Sequence, residues 1–388
     1  MANHIESVLI TGGTGFIGLK TAKRLASLGY KVVLLDNFLY QIHGNNGVMN
    51  EELRNLDQSI SIVVGDVLNP DIWRTALKDI DAVIHLAALT GTGQSMYETY
   101  NYSNVNIGGT SILLDLLPEY KSRLKKVVVA SSRSIYGEGK YKAKGSAQVH
   151  YPERRDLHLL NKGVFEFYDD HNNELMAVAT DEKTPPNPLS TYAITKYAQE
   201  KLILNTCGAL GVDAVALRYQ NVYGPGQSFR NPYTGIVSIF SSAILRDQEI
   251  NVFEDGKATR DFVFIDDVVE ANVKALQSGD VNGKAINVGT GTPVSILAVV
   301  ETLGKYLNKQ PKFHISGEFR AGDIRHNYAD TTLMNRLLNF SPAISFDKGI
   351  QHFIQHMLQN EAKLGDPARY NDSLEEMRAK GLMGKGKR

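Results

Sequence analysis

Cys207 is the only cysteine in 388 residues. A single thiol excludes an intrachain disulfide and any zinc site built on several cysteines, so no metal is expected. Net charge is missing as well, because 42 basic and 42 acidic residues cancel. No overall field draws the chain to nucleic acid or to an anionic membrane. An anionic ligand must therefore be held by local groups. No apolar run approaches the roughly 20 residues of a membrane-spanning helix. Met1 to Thr11 also lacks the basic-then-apolar order of a secretory signal. The expectation is a cytoplasmic protein with no nucleic-acid or membrane partner.

What is present reads as alternation. At 43% hydrophobic and 22% charged, the chain has the composition of a globular protein, long enough for one large α/β unit or two unequal lobes. An apolar run at Ser7–Ile10 breaks into Thr11-Gly12-Gly13-Thr14-Gly15-Phe16-Ile17-Gly18, and a helical pattern follows to about Leu28. Gly29 ends that helix, and KVVLL from Lys31 to Leu35 closes on Asp36. Strand, glycine loop, helix, strand and acid form the context in which a glycine motif carries meaning. Glycines let the backbone turn and approach a pyrophosphate at the helix N-terminus. Asp36 is placed for the two hydroxyls of an adenosine ribose, and a carboxylate there repels a 2′-phosphate. NAD is expected over NADP. The competing explanation is a tight β-turn-α connection holding no ligand; loop, context and acid together stand against it.

Further strands are expected at Ser59–Val64, Asp81–Leu86, Lys126–Ala130, Asp213–Tyr219 and Ile286–Val288, with helices at Asp71–Lys78, Asn104–Leu117, Pro293–Leu307 and Phe346–Leu358. That spacing implies an α/β fold, a Rossmann-type doubly wound parallel sheet with ligands at the strands' C-terminal ends. Asp66 lies at such an end and is placed to meet an adenine. Ala87 and Ala88 leave room for a cofactor, and His85 reads as a packed strand-end residue. From Glu138 to Pro188 the chain turns polar and proline-containing, which reads as a long excursion over the active-site mouth with a short hairpin near Val164–Val178. Gln220–Gln227 reads as a loop, and residues 231–235 lead into an apolar helix ending at Leu245. The basic tail from Met377 reads as frayed. The division expected is an NAD-binding domain at 1–219, with 138–188 inserted, and a smaller C-terminal substrate-binding lobe at 220–388, from which 251–290 returns to the first domain.

Tyr192 and Lys196 stand four residues apart in a helical window and project from one face. A phenol near its usual pKa of about 10 is a poor base at neutral pH. A nearby ammonium favours the phenolate and makes the tyrosine a usable proton acceptor. Such pairs also arise by chance on solvated helices. The pair gains weight from the glycine loop and from the hydroxyls Ser131 and Ser132 past the fifth strand.

Thr11–Gly18, Asp36-Asn37, His85–Ala88, Ser132 before Tyr136-Gly137, Tyr192-x-x-x-Lys196, Arg218–Pro225 and Arg260–Asp267 occur in that order. Together they resemble the extended short-chain dehydrogenase/reductase family of nucleotide-sugar epimerases and dehydratases, over roughly Ser7–Leu358. The resemblance implies NAD held at Gly12, Gly15, Phe16, Ile17, Gly18, Asp36, Asn37, Asp66, Val67, Leu86, Ala87, Ala88 and Asn106, together with Tyr192 and Lys196. It implies Tyr192 as base, Lys196 as the residue lowering its pKa, and Ser132 as donor to a sugar oxygen. A nucleotide-diphosphate sugar is the implied partner, bound by Ser132, Arg133, Asn221, Arg260 and Arg320, and a homodimer through the helices near 104–117 and 190–207 is the implied assembly. Family dehydratases carry an acidic pair after the catalytic hydroxyl, whereas Arg133 and Ser134 stand here. Chemistry confined to C4 follows: oxidation to a 4-keto sugar, then reduction on the opposite face. SSRSIYGEGKY, QIHG and RYQNVYGPGQ resemble the branch that epimerises dTDP-L-rhamnose at C4. The rivals are other epimerases such as those of UDP-glucose, a dehydratase, a reductase, and a scaffold that binds NAD without turnover.

Overall fold

The computed structural model describes residues 5–44, 51–228, 235–360 and 368–386. Short runs rich in Val, Ile and Leu form its centre: β1 (Ser7–Thr11), β2 (Lys31–Asp36), β3 (Ile60–Val64), β4 (Ala82–His85) and β5 (Lys126–Ser132), then Asp213–Tyr219 and Lys284–Val288. They make one seven-stranded sheet in the order Lys284–Val288, Asp213–Tyr219, β5, β4, β1, β2, β3. Every neighbouring pair is parallel. Helices cover both faces, which explains why the strands read as continuous apolar runs. Val8, Ile10, Leu34, Ile84 and Val128 enter one core, and Leu9, Leu35, Val83, Val127 and Val129 enter the other. Strand order reverses between β1 and β4, the point where such sheets bind ligands. The sheet is Rossmann-like, as its alternation predicts.

Several elements differ from the sequence reading. The helix expected from Asn104 begins as a wider π-helical turn at Ser103–Gly108 and becomes α-helical at Gly109–Tyr120. Pro293–Ser295 is a strand antiparallel to Thr259–Phe264, and its helix starts at Ile296 under a cap from the Ser295 hydroxyl. Asn221–Tyr223, expected as loop, pairs in parallel with the same strand. The helix ending at Leu245 is present from Ile236, while 231–234 lie outside the described residues. The tail is not frayed over its described residues, which run to Gly386. Ala368–Ala379 is a helix, and Met383–Lys385 pairs antiparallel with Glu318–Arg320.

The 138–188 insertion contains the expected hairpin, Phe167–Tyr168 with Glu174–Val178, plus a third strand at Lys140–Ala143. It does not line the large cavity. Buried charge ties it to the C-terminal part of the chain instead. Arg325, fully enclosed, bonds Glu166, Glu254 and Asp255. Arg155 bonds Glu254 at 2.8 Å and the Asp323 carbonyl at 2.7 Å. The insertion thus braces the cavity wall from behind.

Glu138 lies inside this cluster, 3.5 Å from Arg155 Nε. Burial pushes its carboxyl up to about 7, against the pull of Arg155 and of the Arg325 backbone N–H. In an unfolded chain a glutamate titrates near 4.3. Between those values the native state binds more protons, so stability falls as pH rises and the full penalty is present above about 7. Glu138→Gln is expected to remove this slope. Measured by urea unfolding, its stability relative to wild type should rise by about 3 kcal/mol from pH ~4 to pH ~8.

Candidate active site

The loop after β1 is built for backbone contact. Gly12 has φ +64°, and a Cβ there would meet the Ala87 backbone N at 3.0 Å. A Cβ on Gly18 would meet the Gly12 carbonyl at 2.4 Å. Only glycine permits this packing. Beside the loop, Asp36 accepts from the backbone N–H groups of Thr14 at 3.0 Å and Phe38 at 2.9 Å. His43 Nε2 lies 3.7 Å from Asp36 Oδ1. Burial pushes that imidazole's pKa down while Asp36 raises it. Asn37 Nδ2 donates to Asp66 Oδ2 at 2.8 Å, joining the ends of β2 and β3.

These groups open on a cavity of about 900 Å³ at the strands' C-terminal edge. Of the residues implicated by sequence, Gly12, Gly15, Phe16, Ile17, Gly18, Asp36, Asn37, Asp66, Val67, Leu86, Ala87, Ala88, Ser132, Arg133, Tyr192, Asn221, Arg260 and Arg320 line it. Asn106 and Lys196 do not. Asn106 is enclosed behind the wall, accepting from Leu89 N at 2.7 Å and donating to the Leu89 carbonyl and Thr195 Oγ1. It fixes the backbone after β4 from the π-helical turn, a distortion that recurs at functional sites.

At the other end, β5 delivers Ser132, whose hydroxyl accepts from Ser134 N at 3.2 Å and Ser134 Oγ at 2.9 Å. The Ser190 hydroxyl caps helix Thr191–Leu210, and Tyr192 N donates to Ser95 Oγ at 3.0 Å. Burial pushes the Tyr192 phenol's pKa up; a hydrogen bond with Ser132 and the charge of Arg133 pull it down. Lys196 Nζ donates to Gln199 Oε1 at 2.7 Å, and burial pushes its pKa down to about 7, opposed by Glu200. Gln199 continues to Thr110 at 2.8 Å. His85 is packed between Thr11 and Thr110 at 2.7 and 2.9 Å, and burial pushes it down to about 3. It is a buried neutral residue, as the sequence suggests.

The anion-binding end is rich in arginine. Arg260 is held by the carbonyls of Thr259, Ile324 and Arg325. Arg133 Nη1 is buried without a hydrogen-bond partner among the described residues, and burial beside Arg260 pushes its guanidinium pKa down to about 9. Among the described residues, Gln220, 4% exposed, has neither amide atom bonded, and Asn221 Oδ1 is unbonded too. Buried polar atoms of this kind are normally satisfied, and a polar ligand in the cavity is one way to satisfy them.

Residues 8–162 and 158–289 match the NAD dependent epimerase/dehydratase family. The chain belongs to that family. It is 36% identical to the dTDP-L-rhamnose 4-epimerase of Burkholderia thailandensis over 89% of its length and 93% of that protein's. It is 29% identical to the UDP-N-acetyl-alpha-D-glucosaminuronate decarboxylase of Bacillus cytotoxicus, over 89% and 96%. Its fold superposes on the UDP-glucuronic acid 4-epimerase of Bacillus cereus, solved with UDP-glucuronic acid and NAD, with a TM-score of 0.75, 28% identity and coverage of 91% and 99%.

The chain is an NAD-dependent epimerase of this family, and its residues fit the cofactor. The glycine loop leaves the room a Cβ would fill, and Asp36 offers a carboxylate suited to free ribose hydroxyls. Among the described residues no cluster of metal-binding side chains occurs, and no helix is long and apolar enough to cross a membrane. Sequence reasoning passed over His43, Gln199, Phe253, Asp323 and Tyr370. QIHG was visible as wording, but nothing in it linked His43 to Asp36. Gln199 stands three residues after Lys196 on the same helix but carries no motif, and the other three reach the site only through tertiary packing.

Proposed function

We propose that this enzyme inverts C4 of a nucleotide-linked 6-deoxyhexose, converting dTDP-L-rhamnose to dTDP-6-deoxy-L-talose. The observation that carries this reading is the pairing of Tyr192 with Ser132 at one cavity wall, followed by Arg133 and Ser134 rather than carboxylates. Without an acidic pair there, the acceptor that family dehydratases use for the C5 proton is missing, and chemistry stays at C4. NAD, when bound, supplies a reversible two-electron oxidant. Ser132 donates to the sugar O4, and Tyr192 takes the O4 proton as the 4-keto sugar forms. Arg133 lowers the cost of the phenolate, while Lys196 is held by Gln199 behind the cavity. Arg260, Arg320 and Asn221 hold the diphosphate, which leaves the 4-keto sugar free to turn its other face. Tyr192 then returns the proton.

The same proposal takes residues 1–219 with 251–290 as the NAD-binding domain, the remainder of the C-terminal half as the nucleotide-sugar lobe, and the assembly as a homodimer in the cytoplasm. Exposed Ile194, on the helix carrying Tyr192, supports the dimer face. A uronate sugar is the second reading, favoured by Arg133, whose buried Nη1 has no hydrogen-bond partner among the described residues. The deciding experiment incubates purified enzyme, without added cofactor, with dTDP-L-rhamnose, UDP-glucose or UDP-glucuronate and follows C4 by NMR. Inversion of dTDP-L-rhamnose with no net NADH is expected. Inversion of UDP-glucuronate alone would replace the first reading with the second, and loss of water or CO₂ would overturn both.

A further inference from the structure

We propose that Tyr370 is itself a ligand of the substrate's diphosphate and the residue that orients Arg320 toward it; this rests on the nucleotide-sugar reading above. Tyr370 belongs to helix Ala368–Ala379 near the C-terminus, and it lines the same cavity as Tyr192, Arg260 and Arg320. Arg320 Nη2 donates to its phenol oxygen at 3.0 Å. The guanidinium also lies over the Phe253 ring, 4.8 Å from the centroid. Ring and phenol together fix the plane of the cation.

Two hydrogen-bond donors are left over. Arg320 Nε is buried and has no partner among the described residues. The phenol accepts from Arg320, and its own proton has no acceptor among those residues. A buried guanidinium N–H without an acceptor carries a desolvation penalty that a ligand oxygen removes. An anion with several acceptor oxygens satisfies both donors at once, and a diphosphate is such an anion.

The helix is also fixed where this role needs it. Met383 pairs with Arg320 in the two-stranded sheet, and Arg378 Nη2 bonds both Glu318 carboxylate oxygens at 3.0 and 2.9 Å. On its other side, Tyr97 donates to Glu376 Oε2 at 3.0 Å, and Lys380 lies over the Tyr97 ring. Tyr97 follows the short helix Thr92–Ser95, whose Ser95 hydroxyl holds the Tyr192 backbone. One C-terminal element therefore joins the arginine end of the cavity to the tyrosine end.

The test is calorimetric titration of the NAD-containing full-length enzyme with TDP and with UDP, comparing wild type and Tyr370→Phe. The variant keeps the ring and loses only the hydroxyl. Its Kd is expected to rise about tenfold for the bound nucleotide, with bound NAD and thermal midpoint unchanged. With the sugar substrate KM should rise while kcat holds, the pattern of lost uniform binding. A Kd change below about threefold would overturn the role of Tyr370 while leaving the nucleotide-sugar reading standing. A wild-type enzyme that binds neither nucleotide would overturn both.

Discussion

Tyr192→Phe is expected to lower kcat by about three orders of magnitude, within the range that general acid–base groups contribute. That is about 4 kcal/mol of barrier. The variant keeps the ring that fills the cavity wall and loses the one group able to take the O4 proton. Burial alone pushes the phenol's pKa up, so in the ligand-free protein Tyr192 holds its proton at neutral pH. Ser132 and Arg133 are the neighbours that pull it down, and both line the cavity beside it. The loss should therefore fall on kcat, with bound NAD and affinity for nucleoside diphosphate near wild type, because neither ligand depends on the phenol's proton. Steady-state rates beside equilibrium titration separate these. Turnover within tenfold of wild type would sink the assignment of Tyr192 as base.

Much of this site was legible in advance because its signals are local. The glycine loop, Asp36 and the Tyr192 helix each announce themselves within a short window, and the sheet follows from strand and helix spacing. The failures have a common physical origin. Pro293–Ser295 looked helical, yet pairing with Thr259–Phe264 outweighs local preference. The insertion was expected over the mouth, while its charges find their counterparts in Arg325 and Glu254 and none of its residues lines the cavity. Tyr370 carries no motif at all, and only the return of the C-terminus to Glu318–Arg320 brings it to the site. Pairings made across long stretches of chain leave no periodicity to read.

Glu200→Leu is expected to destabilise the fold by about 3–5 kcal/mol, the cost of stranding one member of a buried ion pair. Glu200 sits two turns beyond Tyr192 on the same helix and is fully enclosed. It takes Arg218 through two bonds, at 3.0 Å from Nε and 2.6 Å from Nη2, and accepts from Ser131 at 2.7 Å. Removing it leaves the Arg218 cation bonded to the Tyr136 hydroxyl and the Glu182 carbonyl, with the one nearby carboxylate, that of Glu182, itself pushed toward its neutral form by burial. The double variant Glu200→Leu/Arg218→Met should regain most of the loss, since replacing both charges by apolar groups also removes both desolvation penalties. Urea unfolding of the two single variants and the double separates the pair's net worth from the cost of stranding its members. If Glu200→Leu unfolds at the wild-type midpoint, the pair does not hold the helix against strand Asp213–Tyr219. If the double variant is stable but its pH–rate profile moves, Glu200 also acts through Lys196, whose pKa it raises against burial. Stability and proton transfer then meet in one carboxylate, placed where the catalytic helix crosses the strand that carries Ser132.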